Sequence, residues 1–191
     1  MGRWEPNARG RLAQAALALY AEQGFEQTTV AEIAKQAGLT ERTFFRHFAD
    51  KREVLFYGSE LLQDLLAQAV ADAPASATPM DAVSAAYQAA SALIQENPER
   101  ARLRDAIVSA NAELRERELI KLAALASAVA GALRDRGVLE PAASLAAETG
   151  AAVFKVAFAR WVSEPGQADL PGILGAALED LKGVLAERAA V

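Results

Sequence analysis

The 191-residue chain contains no cysteine and a single histidine. No disulfide framework, thiolate metal site or cysteine nucleophile can be built from it. Valine, isoleucine and threonine together supply only 23 residues. That is too few β-branched side chains for a sandwich, a barrel or a large sheet. Long hydrophobic runs are missing as well. The longest, Leu122 to Leu133, has 12 residues, is interrupted by Ser127 and Gly131, and is flanked by Lys121 and Arg134. Such a run is too short to span a bilayer. The first residues, Met1-Gly2-Arg3-Trp4-Glu5-Pro6, lack the apolar stretch of a signal peptide, so a cytoplasmic protein without a membrane partner is expected. The chain also has no Gly-rich phosphate loop and no clustered metal-ligand residue types. No cofactor, no metal and no catalytic site is expected.

What is abundant is alanine, 46 residues of it. Alanine is the best helix former, so an all-α fold is expected. The length suits one large domain or two small ones, and a chain of this size buries roughly 70% of its unfolded surface. The net charge of −5 argues at first against nucleic acid, but the charges are unevenly spread. Residues 1–52 carry 8 basic and 6 acidic side chains, whereas residues 53–191 carry 12 and 19. The chain is electrostatically split near residue 52.

Apolar spacing and punctuation divide the chain into roughly eight to ten helices. The first runs from about Asn7 to Gln23 and stops at Gly24. Thr29 and Glu32 form a capping box that opens a short second helix. Gly38 ends it, and Thr40 caps a third helix carrying Thr43, Phe44 and His47. A second capping box, Asp50-Lys51-Arg52-Glu53, predicts a long helix through Val54, Leu55, Leu61, Leu62, Leu65, Leu66 and Val70. Residues 73–79 read as a loop, and Thr78-Pro79 starts the next helix, with proline at its first position. Asn97-Pro98 breaks that helix. A helical stretch from Pro98 to about Arg136 follows, in two pieces meeting near Ala110-Asn111. Pro141 to Ser163 forms another helix, Pro165-Gly166 a loop, and Asp169 caps a last helix running to about Ala190.

The second and third helices are short and joined by the tight turn Ala37-Gly38-Leu39-Thr40. That is the spacing of a helix-turn-helix, whose second helix enters the DNA major groove. Helix N-termini with threonine hydroxyls, here Thr28 and Thr29 and then Thr40 and Thr43, suit phosphate oxygens. Arg42, Arg46, His47 and Lys51 add cationic or polar groups. Phe25, Phe44 and Phe48 read as core, because large aromatics usually bury their area.

The stretch from Gly24 to Lys51, GFEQTTVAEIAKQAGLTERTFFRHFADK, resembles the DNA-binding signature of the TetR family of bacterial transcriptional repressors. The resemblance covers about residues 9–60. It implies an N-terminal three-helix helix-turn-helix domain at residues 1–52. A helical effector-binding and dimerisation domain is then expected at residues 53–191. It further implies a homodimer through the last two helices, bound to a palindromic double-stranded DNA operator and released by a small-molecule effector. By the same resemblance Thr29 and Thr40 match positions at helix N-termini that face phosphates. Thr43 matches one that touches backbone or base, and His47 and Lys51 match backbone-contacting positions. Glu41 and Arg42 match positions that vary between members and help choose the operator. Arg42 suits guanine O6 and N7, while Glu41 either accepts from a cytosine amino group or faces away from the phosphates. Phe45 stands where the family most often has tyrosine. It cannot donate to a phosphate, and contact with a thymine methyl is the alternative.

The C-terminal part is less explicit. The helix from Pro141 and the last helix carry wide apolar faces with many small residues, which suits close helix packing across a dimer or within one core. Pocket candidates are Phe56, Tyr57, Leu61, Tyr87, Ile94, Leu103, Ile107, Asn111, Leu114, Leu122, Phe154, Phe158 and Trp161. Tyr57, Leu61, Tyr87, Ile107, Asn111, Phe154 and Phe158 are the residues expected to touch ligand. Tyr87, Asn111 and Lys155 stand out as polar groups within apolar stretches. An apolar or amphipathic effector is expected. An enzyme is disfavoured, since the one histidine lies in the DNA motif. A helical protein-interaction module that binds no DNA is the remaining alternative.

Overall fold

A computed structural model describes residues 7–164, 166 and 169–186. Among these there are nine α-helices and no strand. They are α1 (Ala8–Gln23), α2 (Val30–Gln36), α3 (Glu41–His47), α4 (Ser59–Asp72), α5 (Pro79–Gln95), α6 (Pro98–Ala110), α7 (Ala112–Asp135), α8 (Ala142–Ser163) and α9 (Leu170–Ala186). Met1 to Pro6, Pro165 and the expected end of the last helix near Ala190 lie outside the described residues.

Most boundaries follow from local chemistry. Asn7 caps α1, its Oδ1 accepting from Gly10 N–H at 3.0 Å. Thr78 and Asp81 form a full capping box at α5, with Pro79 in the first turn. Asp169 caps α9 by accepting from Gly172 N–H at 2.8 Å. The break between α6 and α7 falls at Asn111, whose Nδ2 donates to Ile107 O at 2.7 Å. A side chain that bonds the preceding turn in this way competes with the helical ladder.

One expectation needs correction. The helix expected to begin at Asp50-Glu53 does not form there. Asp50 Oδ1 does accept from the N–H groups of Arg52 and Glu53, which is half of a capping box. The Glu53 carboxylate pairs with Arg117, on α7. Residues Glu53–Phe56 make a single 3₁₀ turn. Gly58 then takes φ 98°, a left-handed value that stops any helix, and α4 begins at Ser59.

Packing gathers the chain into two compact units. The first comprises the described residues up to Gly58 together with Glu99–Leu119; the second comprises Ser59–Pro98 and the described residues from Ile120 onward. The cut differs from a division at residue 52, since most of α6 and the start of α7 join the N-terminal helices. Ile107, Val108 and Leu114 complete a core made by Leu12, Leu19, Tyr20, Phe25, Ile33, Phe44, Phe48 and Val54–Phe56. Burying one such large apolar side chain contributes about 1.5–3 kcal/mol. Directional contacts hold the same elements. Arg104 Nε donates to Leu55 O at 3.0 Å and its Nη1 to Glu118 at 2.6 Å.

In the second unit α5 packs on α4, α8 and α9, and α8 packs on α9. Small residues set the spacing. A Cβ on Gly150 of α8 would lie 2.2 Å from Val83 Cγ1 and 2.9 Å from Tyr87 Cε2 of α5. Polar ties are few. Gln88 Nε2 donates to Pro171 O, Leu170 N–H donates to Gln95, and Arg136 donates to the carbonyls of Ala71, Ala73 and Pro74 at the end of α4. By length and composition α8 alone among the described residues could cross a membrane. It instead buries Ala143, Ala147, Gly150, Val153, Ala157 and Trp161 in this unit, with Glu148, Lys155 and Arg160 exposed along its length.

Candidate nucleic-acid interface

The turn between α2 and α3 is fixed by backbone hydrogen bonds. Leu39 N–H donates to Ala34 O at 2.8 Å and Gly38 N–H to Lys35 O at 3.0 Å, with Gly38 at φ 67°. This is the Schellman arrangement, in which a left-handed residue ends the helix and turns the chain. Thr29 Oγ1 accepts from Glu32 N–H, and the Glu32 carboxylate accepts from both the N–H and the hydroxyl of Thr29. Those bonds, from the Thr29 backbone first and its hydroxyl next, hold the Glu32 carboxyl below its ordinary range. Thr40 Oγ1 likewise accepts from Thr43 N–H, and the two hydroxyls lie 3.0 Å apart.

Helix α3 is anchored on one side and open on the other. Phe44 is fully buried and Phe48 nearly so, their rings 5.6 Å apart. Both are core, as their size predicts. Glu41, Arg42, Phe45 and Arg46 are exposed, and Thr43 and His47 are half-buried. Phe45 leaves 56% of its surface open, unusual for an aromatic beside a core. Thr29 and Thr40 are also exposed.

Two residues of the expected DNA-facing set turn inward. Thr28 is 1% exposed, and its hydroxyl donates to Gly24 O at 2.8 Å. Lys51 Nζ donates to the carbonyls of Phe25, Glu26 and Thr28. His47 is more enclosed than its motif position suggests, with Nε2 shielded and unpartnered among the described residues. Its pKa lies below the usual histidine value, because burial disfavours the cation and Arg46 and Arg9 add repulsion. The ring is therefore neutral at pH 7. Arg9, which the motif does not single out, holds its guanidinium carbon 5.4 Å from the rings of both Phe48 and Tyr57. Its place in the first turn of α1 gave no signal of that contact.

The residues expected to touch effector fall into separate groups. In the first unit Tyr57 packs on Phe48, while Ile107 and Asn111 line an open cleft of about 430 Å³. The cleft's other walls are Leu103, Ala106 and Ala110 of α6, Tyr20 and Ala21 at the end of α1, and Gly24 to Gln27 after it. In the second unit Tyr87, Phe154, Phe158 and Trp161 form a row of rings with successive centroids 5.4, 5.9 and 5.7 Å apart. Burial, and then the Glu148 charge, push the Tyr87 hydroxyl up to about 12. The buried hydroxyls of Tyr87 and Ser91 have no hydrogen-bond partner among the described residues. Ser91 was not foreseen, since a lone serine in an alanine-rich helix carries no pattern. Leu61 is 62% exposed on α4, and Lys155 is exposed on α8.

A capped pair of short helices with a buried aromatic base and an exposed polar face defines a helix-turn-helix DNA-binding protein. Residues 12–57 match the family model of bacterial regulatory proteins of the tetR family, and residues 77–186 match that of the MftR C-terminal domain. The chain belongs to the TetR family of transcriptional regulators. It is 40% identical over 81 residues to the HTH-type transcriptional regulator TcmR of Streptomyces glaucescens, covering 42% of this chain and 36% of that protein. It is 41% identical over 58 residues to the HTH-type transcriptional repressor KstR2 of Mycobacterium tuberculosis, covering 30% and 28%. The matched stretches thus span about a third of the length of these relatives. Among solved structures, the Thermus thermophilus repressor FadR in complex with lauroyl-CoA is similar over 90% of this chain and 91% of its own, with a TM-score of 0.57 and 25% identity.

Proposed function

We propose that this regulator is a ligand-responsive repressor: a cytoplasmic homodimer that binds a palindromic operator and is released by a small apolar or amphipathic effector. The observation that carries the DNA-binding half is the face of α3. Glu41, Arg42, Phe45 and Arg46 stand exposed on a helix whose opposite side is locked into the core by Phe44. Arg42 reads guanine in the major groove, and Phe45 packs on a thymine methyl. Arg46, the capping threonines Thr29 and Thr40, and Thr43 bind backbone, with His47 contributing as a neutral ring. Glu41 disfavours phosphate on its side and helps select the base. The named relatives are DNA-binding regulators, which agrees with this reading.

The homodimer reading rests on α8 and α9. Leu145 and Val156 on α8 and Val184 and Leu185 on α9 are each 64–69% exposed, more large apolar surface than a monomer usually shows at its own helices. A two-fold dimer pairs two copies of α3 with two half-sites about 34–36 Å apart. Effector binding rests on Tyr87, Phe154 and Phe158 in the second unit, with Tyr57, Leu61, Ile107 and Asn111 as further candidates. Lauroyl-CoA on FadR is an amphipathic ligand of the expected kind.

Selection of bound fragments from a random-sequence DNA pool tests the proposal. An enriched inverted repeat, lost with Arg42→Ala in folded protein, is the expected outcome. No enrichment at low and moderate salt would sink it. Val156→Glu tests the dimer, with sedimentation expected to show monomers. Native mass spectrometry of protein from cells, followed by loss of operator binding when the retained molecule is added back, tests the effector.

A further inference from the structure

We propose that Lys51 is a positioning residue for DNA binding: it locks the loop between α1 and α2 in place and makes no phosphate contact of its own. The proposal rests on the DNA-binding reading above and reassigns one member of its motif.

An ammonium group has three N–H donors and no acceptor. All three of Lys51 have partners inside the protein. Nζ lies 2.8 Å from Phe25 O, 3.1 Å from Glu26 O and 3.0 Å from Thr28 O, and 4.5 Å from the Phe25 ring centroid. A cation over an aromatic face gains further attraction. The backbone is tied as well, since Tyr20 Oη donates to Lys51 O at 2.6 Å. Lys51 is thereby bound at both ends to α1 and the loop that follows it. Helix α1 has no basic residue in its last turn. The Lys51 ammonium, arriving from 23 to 26 residues further along the chain, gathers the carbonyls of the loop that follows α1.

The loop so held leads into Thr29 and the capping box of α2. Its carbonyls point to Lys51, while the Thr28 hydroxyl closes back on Gly24. Helix α2 begins where this loop ends, and the Schellman turn joins α2 rigidly to α3. Fixing residues 25–28 therefore fixes the pose of the recognition helix.

Arginine substitution separates the two roles. A phosphate contact tolerates Lys51→Arg, because a guanidinium binds phosphate at least as well. A latch does not, because a planar fork cannot direct three bonds from one atom to three surrounding carbonyls. The experiment uses the full chain, a duplex selected by the parent protein from a random pool, and a random duplex of equal length. Lys51→Arg and Lys51→Met are compared with the parent, at concentrations corrected for folded fraction. That correction removes any purely structural loss.

The latch predicts that folded Lys51→Arg binds the selected duplex about tenfold or more weakly. In Lys51→Met the slope of log affinity against log salt on random DNA should stay unchanged. In DNA-free variants, amides of residues 25–32 should exchange about tenfold faster while those of Ile107 and Val108 do not. Retained affinity in Lys51→Arg with unchanged exchange would overturn the proposal. So would a slope reduced by about 0.9 in Lys51→Met, the signature of one lost phosphate contact. If Lys51→Met does not fold, the arginine variant decides. A parent that selects no duplex defeats the DNA-binding reading instead, and the exchange arm still judges the latch.

Discussion

Phe44 and Trp161 are both fully buried, one in each unit, but they sit in different kinds of packing. Around Phe44 the chain is held by directional contacts: two threonine caps, the Schellman turn, the Lys51 grip on three carbonyls, and the bonds from Arg104 and Arg117. Trp161 ends a row of rings on a helix that otherwise buries mostly alanine, glycine and valine, in a unit where the buried hydroxyls of Tyr87 and Ser91 have no hydrogen-bond partner among the described residues. The first unit specifies a pose, as a surface that must match DNA requires. In the second, small and aromatic side chains of α8 pack against α5.

Truncating the two anchors is the strongest challenge to this contrast. Phe44→Ala and Trp161→Ala should each lose about 3–5 kcal/mol in chemical denaturation. Phe45→Ala, next to Phe44 but 56% exposed, should lose under about 0.5 kcal/mol while weakening operator binding. A large stability loss at Phe45 would erase the division between anchored and open sides of α3.

The next test uses one substitution twice. Gly150→Ala puts a methyl 2.2 Å from Val83 Cγ1, so overpacking of about 1–3 kcal/mol outweighs the better helix propensity of alanine. Gly183→Ala on α9 meets nothing within 4 Å and should gain up to about 1 kcal/mol. Opposite signs of the shift in melting temperature support packing by volume, and equal signs refute it. A smaller effect is expected at the cap of α2. Thr29→Ala should cost about 1 kcal/mol, and Thr29→Ser should recover most of it. The two denaturation midpoints check this directly.

The smallest expected effect is a pH dependence. His47 has its pKa lowered in the folded state, so its proton binds more readily when the chain unfolds. Its contribution to stability is therefore complete above the ordinary histidine pKa. It is lost progressively as pH falls below about 6.5. His47→Gln should remove that part of the slope in denaturation between pH 7 and 5. A parent that gains stability through His47 on acidification would reverse the reading of an enclosed, neutral ring.

Legibility differed between the units for a physical reason. The capping box of Thr29 and Glu32, the stop at Gly38, the cap at Thr40 and the break at Asn111 were all readable, because each depends on residues within five positions. Phe44 and Phe48 were readable as core from size and spacing. Asp50 to Glu53 misled: the chain there makes a single 3₁₀ turn, and Glu53 pairs with Arg117, 64 residues away. Leu61 shows the same limit, since an apolar residue at helical spacing cannot announce which face stays open.

The sequence by itself determined that this chain is helical, where most helices begin and end, and that residues 24–51 carry the signature of a TetR-family DNA reader. The helices and their ends follow from propensity, capping and spacing, which act over a few residues, and the signature is a resemblance carried by the motif itself. Tertiary structure decided the rest. It joined α6 to the DNA-reading core, buried Thr28 and bound the Lys51 ammonium to three carbonyls. It also stacked Tyr87, Phe154 and Phe158 into one row and left the hydroxyl of Ser91 enclosed. A side chain's partner depends on what the fold brings within 3 Å of it, and for Lys51 that was three carbonyls more than 20 residues away in the chain.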